Sequence, residues 1–147
     1  MKTLNIKILK SDVLHEVALA TAYIGAKKSD DGVYYDRIST IDEDEQALDR
    51  FWLDCRRQMH ALLKDYLVNV NNNEKKDFDV DIEVPGNMPE TNADPLAGAL
   101  KGFCVNHIIT RWCVYTNKED VESYGASASE NYRRARELLY SRRFVVE

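Results

Sequence analysis

Residues 95–116, PLAGALKGFCVNHIITRWCVYT, decide the fold, because their apolar positions recur at helical spacing over nearly the whole stretch. Asp94 offers a side-chain acceptor to the free backbone donors of a helix start, and Pro95 at the first helical position has no N–H to lose. At about 100° per residue, Leu96, Leu100, Phe103, His107 and Val114 share one side, widened by Ala97, Cys104, Ile108, Trp112 and Tyr115. Val105, Ile109 and Cys113 fill much of the remainder, while Lys101, Asn106, Thr110 and Arg111 gather on no single face. The pattern predicts a central helix with neighbours on several sides. Gly98 and Gly102 lie one turn apart and offer a face where another backbone can approach. Lys101, Asn106, His107 and Arg111 interrupt the stretch, and buried charge in lipid is costly, so it reads as a core or interface helix and not a membrane span.

Upstream of that helix, DFDVDIEVP alternates strictly, with Phe78, Val80, Ile82 and Val84 facing one way and Asp77, Asp79, Asp81 and Glu83 the other. LVNV and the turn signal Asn71-Asn72-Asn73 precede it, which predicts a hairpin over about 67–84. Before the hairpin, Asp42 to Glu45 make an acidic first turn for a long helix reaching to about Leu67. Leu48, Phe51, Cys55, Met59, Leu62 and Tyr66 form its stripe, flanked by Trp52 and Leu63. Earlier still, Ser11 or Asp12 can cap a helix to about Ala26 with Val13, Val17, Thr21 and Ile24 on one face. Leu4, Ile6 and Ile8 alternate as a short strand or extended arm, free to pair with another segment or another subunit. The tyrosine-rich residues 27–41 fit no single conformation.

Downstream, Thr116 and Glu119 have capping-box spacing for a last helix from about Lys118 to Arg142. Val121, Tyr124, Ala128, Tyr132, Ala135, Leu138 and Leu139 form its stripe, with Gly125 as a weak point, and Phe144-Val145-Val146 remain as an apolar tail. The expected fold is one mainly α domain over residues 1–147. About four helices surround the central helix 95–116, with the small β-hairpin near 67–84, an extended arm at 1–10 and a tail at 143–147.

A chain of 147 residues with 44% hydrophobic and 31% charged residues suits one globular domain with a sizeable core. The opening MKTLNIKILK is not a signal segment, which sets the expectation of synthesis in a cytoplasm. The net charge of −5 conceals blocks, strongly negative over 29–54 and 77–94 and positive over 1–28, 55–76 and 129–147. The acidic excess disfavours gripping nucleic acid, whereas patches of opposite sign suit contacts between proteins.

The outward carboxylates Asp77, Asp79, Asp81 and Glu83 stand about 7 Å apart in successive pairs. They could collect a cation, but no loop wraps an ion as calcium requires, so a solvated or partner-facing acidic strip is favoured. Cys104 and His107 share a helix face, yet further metal ligands would have to come from scattered residues such as Cys55 or His60. Cys104 and Cys113 point in opposite directions and cannot bridge within the helix, and all three cysteines read as buried thiols. His15, His60 and His107 lie on helices among apolar neighbours. With no nucleophile elbow, phosphate loop or HExxH, neither an enzyme nor a cofactor or metal is expected. Arg133, Arg134, Arg136, Arg142 and Arg143 are the one concentrated basic feature. They are either a solvated face paired with Glu130 and Glu137 or a docking surface for an acidic partner, and Phe144, Val145 and Val146 beside them favour docking.

The helix plan, carried by VLHEVALATAYIGAK, DEDEQALDRFWLDCRRQMHALLKDYL, ALKGFCVNHIITRW and ENYRRARELLYSRRF, resembles the small head-to-tail connector (adaptor) proteins of tailed phages and prophages. The resemblance covers about two thirds of the chain. The hairpin at 67–84 and the segment at 27–41 depart from the plainest form of that family. The resemblance implies a non-enzymatic ring subunit of the virion neck, made in the host cytoplasm. Such rings are usually dodecameric, sit on the portal protein, receive tail or neck proteins and pass DNA without sequence-specific binding or a membrane. The alternatives are another neck or tail-completion protein, or a cytoplasmic helical protein-interaction module.

Overall fold

A computed structural model describes residues 2–28, 44–71, 76–116 and 118–140. Its described elements run in the order β1 (Lys2–Ile8), α1 (Lys10–Lys28), α2 (Glu45–Leu63), β2 (Leu67–Val70), β3 (Phe78–Val84), α3 (Ala93–Thr116) and α4 (Val121–Tyr140), with short 3-10 turns at Glu90–Asn92 and Lys118–Asp120. The fold is mainly helical, with four helices and one small antiparallel sheet among the described residues. The tyrosine-rich segment from residue 29 to 41, Asn72 and Asn73 of the hairpin turn, and Arg142, Arg143, Phe144, Val145 and Val146 lie outside the described residues.

The sheet is ordered β1-β3-β2 with β3 antiparallel to both neighbours, so the arm pairs within its own chain, Ile8 opposite Phe78 and Lys2 opposite Val84. The alternation of β3 sets the layering: Phe78, Val80, Ile82 and Val84 are all fully buried, and Ile6 and Ile8 of β1 join them. At about 25 cal/mol per Å² of apolar surface, that row is a major source of cohesion between the sheet and the helices.

Helix α3 is central as its pattern predicts, packing on α1, α2, α4 and β1. Leu96, Leu100, Cys104 and Ile108 are fully buried, whereas Val114 and Tyr115 at its end are exposed, so the stripe fades in the last turn. In α1, Val13, Val17 and Thr21 are fully buried, and Thr21 satisfies its hydroxyl by donating to the Val17 carbonyl at 2.9 Å.

Two boundaries differ from the sequence reading. Helix α2 stops at Leu63 and not near Leu67, because the chain turns at 64–66 and the Tyr66 carbonyl accepts from the Glu83 amide at 2.8 Å. Pairing with β3 then holds Leu67, Asn69 and Val70, with the register shifting at Val68. Helix α1 begins at Lys10, ahead of Ser11 and Asp12, because the Lys10 amide donates to Asp77 Oδ1 at 2.8 Å: a carboxylate 67 residues away caps the helix. Thr116 ends α3, donating back to the Trp112 carbonyl at 3.0 Å, and a 3-10 turn at Lys118–Asp120 leads into α4, in line with a last helix starting near Lys118.

The glycine pair also divides. A Cβ on Gly102 would meet Asn131 Nδ2 of α4 at 2.7 Å, so a side chain and not a backbone makes the close approach, and Gly98 faces open space.

Candidate functional site

Two features of the surface carry candidate chemistry, the outer face of the sheet and a cleft between α3 and α4. On the sheet, Asn5 of β1 stands opposite Asp81, Lys7 opposite Asp79 and Thr3 opposite Glu83. Asn5 Nδ2 donates to Asp79 Oδ1 at 2.8 Å and to Asp81 Oδ1 at 2.9 Å. From the other flank Asn71 Nδ2 reaches Asp79 Oδ1 at 3.0 Å and Asp81 Oδ2 at 3.5 Å. Two amides therefore bridge the carboxylates. The bonds from Asn5 and then Asn71 hold the Asp79 carboxyl below its ordinary range, since they favour the charged form.

The four acidic positions do not act as one strip. Asp79 and Asp81 are joined in this lattice, Glu83 is exposed at the far end, and Asp77 is spent on the start of α1. Asn5 and Asn71 complete the face; their outward places in the alternation of β1 and at the end of LVNV are the signal that marks them.

The arginines of α4 also separate. Arg133 pairs with Glu130 and Glu137. Its guanidinium holds the Glu130 carboxyl below its usual value, through a hydrogen bond and then through charge. Arg136 lies over the Tyr132 ring, 5.6 Å from its centroid, and Arg134 projects from an exposed position. This much agrees with the solvated-face alternative for Arg133; the tail half of the cluster lies outside the described residues.

The cleft, about 380 Å³, is walled by Gln58 of α2, Phe103, His107 and Thr110 of α3, and Ser129 and Tyr132 of α4. The small residues Gly125 and Ala128 of α4 help to leave this space open. His107 Nε2 lies 2.6 Å from Asp54 Oδ2, its ring stacks on Phe103 at 5.3 Å, and Gln58 Nε2 donates to the same Asp54 oxygen at 3.3 Å. Asp54 went unread in the sequence; its position one turn before Gln58 on α2 is the only local hint.

The metal-ligand candidates disperse into other contacts. His107 goes to Asp54, Cys104 Sγ sits 3.5 Å from Met59 Sδ, and His60 makes an edge contact with Phe78. Among the described residues no group of three or more His, Cys, Asp or Glu side chains is placed to hold an ion. All three cysteines are buried free thiols, and burial first, then Cys104, pushes the Cys55 thiol far up and away from the reactive thiolate. No described helix is long and apolar enough to cross a membrane.

No family model, curated protein or solved structure matches this chain.

Proposed function

We propose that this chain is a structural subunit of a phage head-to-tail connector, assembling as a ring that joins the portal to the tail and prolongs the DNA channel. The observation that carries the reading is the amide-braced acidic face of the sheet. A duplex sliding through a pore needs walls that do not grip phosphate. Asp79, held ionised by Asn5 and Asn71, and Asp81, bonded to the same two amides, supply fixed negative charge at the range, about 8–10 Å, over which salt leaves it effective. Glu83 extends that charge along β3.

Ring closure needs two different surfaces on each subunit that recognise each other. The acidic blocks and the basic C-terminal block of the chain suit such a heterologous contact. In this reading Arg134, Arg142, Arg143 and Phe144-Val145-Val146 dock on the portal or the adjacent subunit.

The test is the native mass of the full-length protein over a wide concentration range, alone and with purified portal, together with negative-stain imaging. The expected result is a closed ring, alone or on the portal. A chain that remains monomeric under both conditions overturns the reading.

A further inference from the structure

Strand β1 spends only half of its backbone inside the chain. In β3 the Glu83 amide donates to the Tyr66 carbonyl and the Asp79 carbonyl accepts from the Asn71 amide, so the odd positions of β3 turn their backbone groups toward β2 and its flanks. Alternation leaves Phe78, Val80, Ile82 and Val84 to bond β1, where Ile8, Ile6, Leu4 and Lys2 stand opposite them. Thr3, Asn5 and Lys7 therefore point their N–H and C=O groups away from β3. The sheet order puts β1 at an edge, the three residues are exposed, and their backbone groups have no partner among the described residues. No proline or bulge interrupts the strand. Such an edge is a template for a further strand.

A groove of about 440 Å³ opens at the end of this edge, walled in part by Ile8, Leu9 and Asp12 on one side and by Ala97, Gly98 and Lys101 of α3 on the other. Gly98 keeps it open, since a Cβ there would meet nothing within 4 Å. Lys101 is engaged by Glu16 at 3.2 Å, whereas the Asp12 carboxylate has no ion pair among the described residues, and neither has the Lys2 ammonium on β1.

We infer that β1 pairs antiparallel with β1 of a second copy, centred on Asn5, and so joins two three-stranded sheets into one across a two-fold axis. In this register Thr3 faces Lys7, Asn5 faces its own counterpart and Lys7 faces Thr3, and each pair exchanges two backbone bonds. Within residues 2–8 it is the one register that gives all three outward residues a partner. It also opposes no two lysines, whereas centring on Lys7 would set the ammonium groups against each other. On the inner side, half-buried Leu4 meets Ile6 of the second copy. Lys2 of the second copy comes opposite Ile8 at the groove, where its stem lies over Gly98 and its ammonium reaches Asp12. The occupant is a second copy because the edge complements itself in backbone, in apolar row and in charge. The contact is isologous, so it goes beyond the ring reading and does not depend on it.

Sedimentation equilibrium and amide exchange on the full-length protein test the pairing. The wild-type chain should associate in pairs, and the Thr3, Asn5 and Lys7 amides should gain protection as the concentration rises. Thr3→Pro removes a donor that points away from β3 and leaves the bonds between β1 and β3 in place; it should weaken association about tenfold or more. Should the proline loosen β1 itself, a charge swap decides. Lys2→Glu alone should weaken association about fivefold, and Lys2→Glu/Asp12→Lys should restore it, which a merely structural effect would not do. A wild-type chain that is monomeric at every concentration overturns the pairing. So does an oligomer in which the three amides exchange freely, and if that oligomer is a ring the ring reading stands. A double swap that stays weak overturns the Asn5-centred register.

Discussion

His107 of α3 and Asp54 of α2 meet at 2.6 Å, and this bond ties the central helix to the helix that braces the sheet. Asp54 is 39% exposed and His107 17%, so solvent screens the pair and its coupling should be modest, about 0.5–1 kcal/mol. A double-mutant cycle with Asp54→Asn and His107→Gln, followed by urea unfolding, measures it. Zero coupling would mean that the two side chains are held by Gln58 and Phe103 and not by each other.

Gly125 sits inside α4, where a Cβ would lie in ordinary contact, 3.6 Å from the Thr110 methyl. Gly125→Ala should therefore stabilise the protein by about 0.5–1 kcal/mol through the entropy glycine loses on entering a helix. Gly102→Ala should gain less or nothing, because its Cβ would displace the Asn131 amide. Thermal unfolding of the two variants side by side checks the ordering, and an equal gain at both sites would refute the packing argument.

How much of this could be read in the sequence follows from the range of each interaction. The central helix and the inward row Phe78, Val80, Ile82 and Val84 were legible because periodicity is local and each apolar residue reports its own burial. The hairpin was legible from the same alternation. The Asp77 cap on Lys10, the amide bridges from Asn5 and the His107–Asp54 bond join residues 67, 74 to 76 and 53 positions apart, and no local pattern encodes such pairings. The end of α2 was misread for the same reason: Tyr66 belongs to the helical stripe by spacing, but a distant strand claims its carbonyl.

Arg56 is 1% exposed, an unusual place for a guanidinium, and donates through one nitrogen to the carbonyls of Lys76 and Asp77 at 2.7 and 3.0 Å. Trp52, one turn earlier, donates to the same Lys76 carbonyl at 2.9 Å. Together they fasten the entry of β3 to α2. Arg56→Ala should cost about 2–4 kcal/mol, from lost bonds and an unfilled space. Arg56→Met keeps most of the volume and leaves Lys76 bonded to Trp52, so it should cost less. Urea unfolding ranks the two, and amide exchange at the start of β3 should rise first; a uniform rise across the sheet would count against a local anchor.

The acidic face carries its own pH signature. Because Asn5 and Asn71 hold the folded Asp79 carboxyl below its unfolded value, the stabilisation they give is fully present above that ordinary carboxylate value, near 3.8. It is lost as the pH falls through the lower folded pKa. A carboxyl-carbon NMR titration of the wild-type chain should place Asp79 below the ordinary range, and Asn5→Ala should move it up, since that amide is the larger of the two causes. Asn71→Ala should move it less. If Asp79 titrates at its ordinary value in the wild-type protein, the amide lattice is not holding its charge, and the fixed negative face proposed for the channel wall loses its physical basis.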